Sequence, residues 1–282
     1  MALGQSSVRI AFDATAVSGA RPTRGLRARR LASFARAPLA DGALVPSPHE
    51  SNVLRAEEVR DALALVARSL DAAREPIAFL LPDGVARLAL LDAPDGVRPD
   101  EYARYRLAPG LPYPIREAVV QTESAGPRRV LAALARRSVI AEYEEVARAA
   151  GLVQGGIDLA PLVALHALRR AAARGVARVD VVLGDAAYSL ALHDGAGLRV
   201  LRNRRRDRDA GEPRRLALEI ERVLRIGGMD GRPAAANSPN RAVAPGPTTR
   251  AAGGAAEPGW SMDGKGLPAD AVEVPWLGSL FA

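Results

Sequence analysis

The chain has 282 residues, of which 48% are apolar, 25% charged and 4% aromatic, and this composition suits one large globular domain or two smaller ones. It has no cysteine, which excludes a disulfide framework, a thiolate metal site and a cysteine nucleophile. Its three histidines are far apart in the sequence, so we expect no histidine metal centre. The net charge of +7 is spread along a chain with 32 acidic residues, and we interpret it mainly as a contribution to solubility.

The sequence gives no sign of a membrane segment. No apolar run approaches the roughly 20 residues that a membrane-spanning helix needs. The first ten residues lack the basic flank and the apolar core of a secretory signal peptide. These features predict a cytoplasmic protein.

The first third of the chain alternates short apolar runs with turns and one helical segment. Residues 8–12 predict a strand, and Asp13 opens a turn of small residues after it. Residues 31–39 predict another strand after a second turn region. Apolar residues recur every three or four positions over residues 55–70, which predicts an amphipathic helix. The apolar run 77–81 predicts a buried strand, which the following Pro-Asp-Gly sequence ends.

The segment 86–137 predicts a small mixed unit, in which three strand-like apolar runs surround a helical stretch and a Pro-rich stretch. Pro109, Pro112 and Pro114 restrict the backbone, and we expect them to hold the chain extended. The apolar side chains that flank them are Leu107, Leu111, Tyr113 and Ile115. Composition is compatible with two roles for these side chains, a groove for a partner peptide or the core of the unit itself.

The second half of the chain is richer in helices. Residues 138–150 predict a helix that begins at a capping serine, and residues 160–173 predict a second one. A strand pair follows, and Asp194 and Gly195 suit its hairpin turn. Residues 213–226 predict a last helix.

The end of the chain has a different composition. Residues 227–265 are rich in Gly, Pro, Ala, Ser, Asn and Arg, with little periodicity, and we interpret them as a flexible, low-complexity linker or insertion. Residues 266–282 form a short strand-like end.

The histidines carry little functional signal. His166 lies among Ala and Leu on a predicted helix, so we expect a packed core residue or a cap. His49 and His193 fall in predicted turns, where we expect no partner at metal-ligand spacing.

Two aspartates, Asp13 and Asp185, follow apolar strands and open turns of small residues. An aspartate in such a position is most often a turn cap. The pattern also resembles the phosphate-binding hairpins of the actin, hexokinase and heat-shock-protein superfamily, where Asp-x-Gly lets backbone amides approach nucleotide phosphates while aspartate holds magnesium. Thr15 and Ala187 stand where that pattern has glycine, so the resemblance implies a degenerate site for ATP and Mg²⁺, without catalytic residues.

The order of segments is a more specific signal. The chain contains, in this succession, LASFARAPLADGAL, IAFLLPDGVARLALLD, YRLAPGLPYPIREAVVQ and VLAALARRSVIAEYEEVARAAGLVQGGIDLAPLVALHAL. Residues 8–226 thereby resemble the PilM family of actin-like type IV pilus assembly proteins. The resemblance implies an α/β, actin-like (ribonuclease H-like) two-lobed fold. Its first lobe would cover residues 8–178, with an inserted subdomain at about 86–137, and a truncated second lobe would cover residues 179–226.

The resemblance also implies a function. A PilM-like protein would be a non-enzymatic cytoplasmic scaffold of a type IV pilus or related secretion assembly, peripheral at the inner membrane through its partner. It would contact other assembly subunits and take up the tail of a PilN-like single-span inner-membrane protein. The partner-binding residues would be Leu107, Leu111, Tyr113 and Ile115.

Two alternatives come from other functional classes. An actin-like ATPase or sugar-type kinase would use Asp13 and Asp185 around magnesium. A binder of anionic surfaces would use the arginine excess, which is densest at residues 202–208. We expect no specific nucleic-acid site, because no aromatic residues are interleaved with those arginines.

Overall fold

Three β-sheets and five α-helices make up the part of the chain that the computed structural model describes, residues 8–24, 29–171, 177–207 and 209–228. The strands are β1 (Val8–Phe12), β2 (Ala16–Arg24), β3 (Arg29–Pro38), β4 (Ile77–Leu81), β5 (Ala86–Asp92), β6 (Ala118–Gly126), β7 (Arg129–Arg136), β8 (Gln154–Leu159), β9 (Arg178–Leu183), β10 (Ala187–His193) and β11 (Leu198–Arg205). The helices are α1 (Ala56–Ser69), α2 (Pro99–Leu107), α3 (Arg137–Ala149), α4 (Ala160–Ala171) and α5 (Glu212–Ile226).

The first-lobe sheet has the strand order β3-β2-β1-β4-β8. Strands β1, β2 and β3 form an antiparallel meander, whereas β4 pairs in parallel with both β1 and β8. Strand β4 is buried along its whole length, as its continuous apolar run predicts. The apolar stripe of α1 packs against β2 and β3 and against helix α3. On the opposite face, Ala160 and Val163 of α4 cover Ala11 and Leu80.

The small sheet has the order β5-β7-β6, and its chain runs between β4 and β8. Helix α2 packs against β6 and β7. Their common core contains Ala103, Leu107, Tyr113, Ala118, Val120, Ala132 and Leu134. This unit therefore has a core distinct from that of the first-lobe sheet.

The second-lobe sheet has the order β11-β10-β9, and α5 packs on one of its faces. That face is apolar, with Val179, Leu190 and Leu192 against Leu216 and Val223. The opposite face contributes Val182, Ala191 and Leu198 to the large apolar cluster of the first lobe. The sheet is thus held between its own helix and the first lobe. No helix in the described parts of the chain is long and apolar enough to cross a membrane.

The sequence predictions of β1, α1, β4, β5, α3, α5 and the hairpin turn at Asp194 and Gly195 are confirmed. The prediction of a turn after Asp13 is wrong beyond Thr15, because β2 begins at Ala16. Gly19 belongs to that strand for a packing reason: a Cβ atom there would lie 2.6 Å from the side chains of Leu70 and Val66. Glycine lets α1 approach the sheet closely.

Two local details also differ from expectation. Helix α3 begins at Arg137, and no side-chain cap is present among the described residues, so Ser138 lies inside the first turn. The Pro-rich stretch is not continuously extended, because Ala108–Gly110 and Ile115–Glu117 form 3₁₀ turns. The proposed linker and the strand-like end lie outside the described residues, except for Gly227 and Gly228.

Candidate functional site in the cleft between the two lobes

The turn after β1 and the turn after β9 have the same backbone hydrogen bond. The amide of Asp13 donates to the carbonyl of Ala16 over 2.9 Å, and the amide of Gly184 donates to the carbonyl of Ala187 over 2.8 Å. The structural equivalent of Asp13 is therefore Gly184, not Asp185. Aspartate stands at the first turn position in one hairpin and at the second position in the other.

The two turns meet across the cleft through Thr15 and Asp185. The hydroxyl of Thr15 donates a hydrogen bond of 2.5 Å to Oδ2 of Asp185. The structure thus brings Thr15 and Asp185 together, with Asp13 in the same turn as Thr15, while Ala187 is the buried first residue of β10. A hydroxyl at residue 15 contacts the opposite lobe directly, which a glycine could not do.

Asp83 is the residue of this site that the sequence analysis treated only as a strand breaker. It lies in the 3₁₀ turn that follows β4, and this turn contacts β10 of the second lobe. Asp83 is 5% exposed, and neither of its carboxyl oxygens has a hydrogen-bond partner among the described residues. Burial raises the pKa of Asp83 well above its ordinary value, and the carboxylate of Asp13 raises it further.

The loop before α1 covers this buried turn. Pro46 packs so closely on Gly84 that a Cβ atom on the glycine would lie 2.9 Å from the proline ring. Asn52 holds the loop by donating to the carbonyls of Ser47 and Glu50, each over 2.8 Å. Oε2 of Glu142 in α3 accepts a hydrogen bond of 2.6 Å from the backbone amide of Asn52. A hydrogen-bonded loop therefore covers the turn that follows β4.

The residues present fit a cation better than a phosphate group. Carboxylates are preferred ligands of Mg²⁺. Three amides of these turns, in contrast, already have partners: the amide of Ala14 donates to Oδ1 of Asp13 over 2.8 Å, and the amides of Asp13 and Gly184 close their turns. No three His, Asp or Glu side chains form a preassembled metal site within the described residues.

A polar cluster lies on the face of the second-lobe sheet that is turned towards the first lobe. Nε of Arg178 donates to both oxygens of Asp180, over 2.9 and 3.0 Å. Nε2 of His193 lies 3.4 Å from Asp180 but makes no hydrogen bond within the described structure. Burial, followed by the charge of Arg178, lowers the pKa of His193 from 6.5 to about 4.

The histidine expectations need two corrections. His193 is a buried strand residue paired with Arg178 across β9 and β10, so placing it in a turn without partners is wrong. His166 is half-buried, and its Nε2 lies 2.8 Å from Oε1 of Glu123 in the small sheet, so it is not simply a core residue. His49 is exposed in a loop, as expected.

The four residues predicted to bind a partner lie together in the small sheet unit. Leu107 and Tyr113 are buried in its core, whereas Leu111 and Ile115 are half-buried and pack against that core from outside. Cζ of Arg136 lies 5.4 Å from the centroid of the Tyr113 ring. The sequence analysis missed a cavity of 330 Å³ at the other end of the small sheet, beside the β6–β7 turn, which is lined by residues 93–97, 122–124 and 128–130, together with Pro99 and Gly126.

Comparison with known proteins gives a structural match but no sequence match. No protein-family model and no curated protein sequence matches the chain. Among solved structures, the chain is similar to a PilM-PilN type IV pilus biogenesis complex, with 19% identity, a TM-score of 0.61 and coverage of 80% of this chain and 69% of that chain.

Two further structures are less similar. One is the cytoplasmic domain of EpsL, an inner-membrane component of the type II secretion system of Vibrio cholerae, with 8% identity, a TM-score of 0.47 and coverage of 71% of this chain and 70% of that one. The other is a protein of unknown function with an actin-like ATPase fold from Bacteroides thetaiotaomicron, with 9% identity, a TM-score of 0.49 and coverage of 77% and 75%. The chain is an α/β protein with the actin-like fold, and its architecture is PilM-like.

Proposed function

We propose that this chain is an actin-like assembly subunit of a type IV pilus or related secretion machine, which links the cytoplasmic motor side to an inner-membrane partner. The observation that carries the proposal is the outer edge of strand β6, which no other described strand pairs with and which lies beside a 330 Å³ cavity. The fold surrounding that edge is similar to a protein solved as a PilM-PilN complex.

An edge strand next to a cavity suits an extended peptide. The peptide adds a strand by main-chain hydrogen bonds, and its alternate side chains enter the cavity. Val97, which is 40% exposed, offers an apolar contact there, and Arg128 offers a cationic one. The partner we propose is the cytoplasmic tail of a PilN-like, single-span inner-membrane protein, so the chain would be cytoplasmic and peripheral at that membrane.

The four flanking apolar residues take different parts in this proposal. Leu107 and Tyr113 fix the shape of the small sheet unit from within its core. Leu111 and Ile115 retain exposed surface and are the two that a peptide could contact. Replacing the buried pair would perturb the fold, since removing a buried large side chain typically costs about 2 to 5 kcal/mol.

The test is direct binding of a synthetic peptide with the N-terminal tail sequence of a single-span membrane protein encoded beside this chain. Isothermal titration calorimetry with the full chain should give saturable binding. We expect Leu111→Ala/Ile115→Ala and Val97→Asp each to weaken binding about tenfold or more, because truncation of central contacts typically costs over 1 kcal/mol.

The matched control is Tyr105→Ala in helix α2. Tyr105 is 77% exposed and does not line the cavity, so its loss should leave peptide affinity unchanged. Thermal melts of all variants should stay close to that of the unchanged chain. Undiminished binding by the two folded test variants would contradict this docking site, and equal loss in Tyr105→Ala would show that the effect is not local.

A second candidate, an actin-like ATPase or sugar-type kinase, is favoured by the contact between Thr15 and Asp185. We propose that turnover is nevertheless weak or absent. The amides of Asp13, Ala14 and Gly184 already donate within their own turns, and preorganised donors of this kind usually supply the largest catalytic contribution. Magnesium-dependent phosphate release from ATP that disappears in Asp185→Asn would overturn this part of the proposal.

The third candidate, a binder of anionic surfaces, has less support. Several arginines around the end of β11 form ion pairs: Arg204 with Glu219, Arg206 with Glu212, and Arg215 with Asp209. Arg206 also donates to the carbonyl of Gly184 over 2.6 Å, so it holds the second-lobe turn in place. These ion pairs and this hydrogen bond give the named arginines structural roles, so we do not favour binding to anionic surfaces.

A further inference from the structure

The outer edge of strand β3 ends the first-lobe sheet, and no other described strand pairs with it. The strand is ten residues long, Arg29–Pro38, whereas strands of about five or six residues are typical. Its pairing with β2 is regular from Ser33 to Pro38, because the register shift of this pair lies between Arg21 and Pro22. An edge strand of this kind presents main-chain N–H and C=O groups that can pair with another strand.

One face of β3 is incompletely covered. Phe34 lies opposite Ala20 of β2 on this face, and Arg36 lies opposite Ser18. Ala20 belongs to the apolar cluster under α4, and Leu31 packs against it, whereas Phe34 is outside that cluster and is 43% exposed. Arg36 is exposed as well, and it forms no ion pair within the described residues. We refer to Leu31, Phe34 and Arg36, with the outer edge of the strand, as the β3 surface.

The hairpin that contains β3 is strongly basic. Residues 14–40 contain six arginines and no acidic residue, so the net charge is not uniform along the chain. Arg21 is used within the fold, where its Nε donates to the carbonyl of Leu70 over 2.9 Å. The opposite edge of the same sheet, β8, contains Asp158 and no basic residue. Positive charge is therefore concentrated on the hairpin that forms one edge of the first-lobe sheet.

We propose that the β3 surface binds an extended, acidic segment of another protein, which adds a strand to the first-lobe sheet. Main-chain hydrogen bonds hold the segment along the edge, a carboxylate pairs with Arg36, and an apolar side chain covers Phe34. A second copy of β3 is a poor occupant, because like charges opposite each other in neighbouring strands are destabilising. The β3 surface belongs to a different sheet from β6, so the proposal does not depend on peptide docking at β6.

A protein strand fits the β3 surface better than nucleic acid or lipid does. Single-stranded nucleic acid is typically bound by cationic groups together with several aromatic side chains, but Phe34 is the one aromatic residue in residues 14–40. A lipid surface would attract the arginines but would leave the main-chain groups of the edge without partners. An acidic strand satisfies both the charge and the edge.

The test uses the full chain and, as the probe, a fluorescein-labelled peptide of alternating glutamate and valine that matches residues 31–38 in length. Fluorescence anisotropy should show saturable binding of this peptide, and a peptide with lysine in place of glutamate should not bind. Hydrogen exchange measured by mass spectrometry should show slower exchange of the β3 amides when the acidic peptide is bound, because strand addition protects the edge.

Two variants test the side chains of the β3 surface. We expect Arg36→Glu and Phe34→Ser each to weaken peptide binding about tenfold or more, because reversed charges and truncated central contacts are costly at interfaces. Both residues are exposed, so thermal melts of the variants should stay close to that of the unchanged chain. Arg148→Glu in α3 is the matched control, because it makes the same change of charge at a side chain that is 68% exposed. It should bind the peptide as the unchanged chain does.

Four results would overturn the proposal. The first is absence of saturable binding of the acidic peptide, and the second is protection on binding that lies outside β3. Binding of phosphatidylglycerol vesicles that Arg36→Glu abolishes, without binding of the peptide, would assign the β3 surface to lipid. Self-association of the unchanged chain that Arg36→Glu abolishes, measured by analytical ultracentrifugation, would assign it to a second copy.

Discussion

The sheets that begin the two lobes share a hairpin turn but differ in how they are buried. In the first-lobe sheet, β1 and β4 present apolar residues on both faces, and helices lie against each face. In the second-lobe sheet, the face towards α5 is apolar, whereas the face towards the first lobe includes Arg178, Asp180 and His193. Two sheets that open with the same hairpin turn therefore differ in the polarity of the faces that they bury.

The same contrast applies to the aspartates of the two turns. The carboxylate of Asp13 accepts a hydrogen bond from the adjacent amide of Ala14. The carboxylate of Asp185 instead accepts one from the hydroxyl of Thr15 in the other lobe. The two turns share the same backbone hydrogen bond, but the aspartate stands one position later in the second turn. At the first position it caps its own turn, and at the second it contacts the other lobe. A polar contact thus joins the two lobes beside the apolar packing of Val182, Ala191 and Leu198, and the polar contributions can be tested by mutation.

The largest effect should come from Asp180→Ala, which leaves the buried charge of Arg178 unpaired. Breaking a buried ion pair from one side typically costs about 3 to 5 kcal/mol. Urea denaturation should show this loss in the free energy of unfolding. The double variant Arg178→Met/Asp180→Leu should lose much less, because no buried charge remains. A double variant less stable than the single one would show that the pair itself is stabilising.

Gly197→Ala should rank next, because the β10–β11 turn meets the β6–β7 turn without side chains between them. A Cβ atom on Gly197 would lie 2.5 Å from the carbonyl oxygen of Ala125. Forcing extra volume into such a contact typically costs about 1 to 3 kcal/mol. Thermal melts should show the loss, whereas Gly156→Ala in β8, where nothing lies within 4 Å, should not.

A pH dependence should follow from His193. Its folded-state pKa is about 4, below its ordinary value of 6.5, so between these pH values the unfolded chain binds a proton that the folded chain does not. Stability should therefore fall as the pH drops through this window, by about 1 kcal/mol per pH unit after allowance for solvent screening. Urea titrations at several pH values would measure it.

The control for that pH series is a pair of variants. His193→Gln should flatten the dependence within the window, whereas His49→Gln, at an exposed loop position, should leave it as it is. An unchanged slope in His193→Gln would assign the pH dependence to other groups.

The smallest effect on stability should come from Thr15→Val, which removes the hydroxyl that donates a hydrogen bond to Asp185. A single partly exposed hydrogen bond is typically worth about 0.5 to 1.5 kcal/mol. Thr15→Ser keeps the hydroxyl and should recover most of the loss. If Val and Ser variants melt at the same temperature, the contact between the turns contributes nothing measurable.

Much of the fold could be predicted from the sequence, because its apolar periodicity is strong. Helix α1 and strand β4 show their burial directly in residue spacing. Strand β2 could not be predicted in the same way, since Gly19 and Pro22 are typical of turns. Gly19 is required by the close approach of α1, and Pro22 lies at a register shift against β3. Both reasons depend on tertiary contacts, which the local sequence does not show.

The candidate site was predictable only where a residue resembled a known pattern. Asp13 and Asp185 follow strands and were therefore noticed, although the structural equivalence of Asp13 with Gly184 was not. Asp83 also follows a buried strand, but its sequence neighbours are typical of a turn. Its significance depends on Pro46 covering the turn and on the proximity of Asp13, which no single segment encodes.

The parallel pairing of β4 with β8 has a consequence for the folding pathway. The two strands are neighbours in the first-lobe sheet, yet the whole of residues 82–153 lies between them in the chain. A hairpin such as β6–β7 needs only local chain closure, whereas β4–β8 must close a long loop before it gains any contact. We therefore expect the small sheet to form early and to shorten that loop, so the inserted unit would act as a folding aid for the lobe that surrounds it.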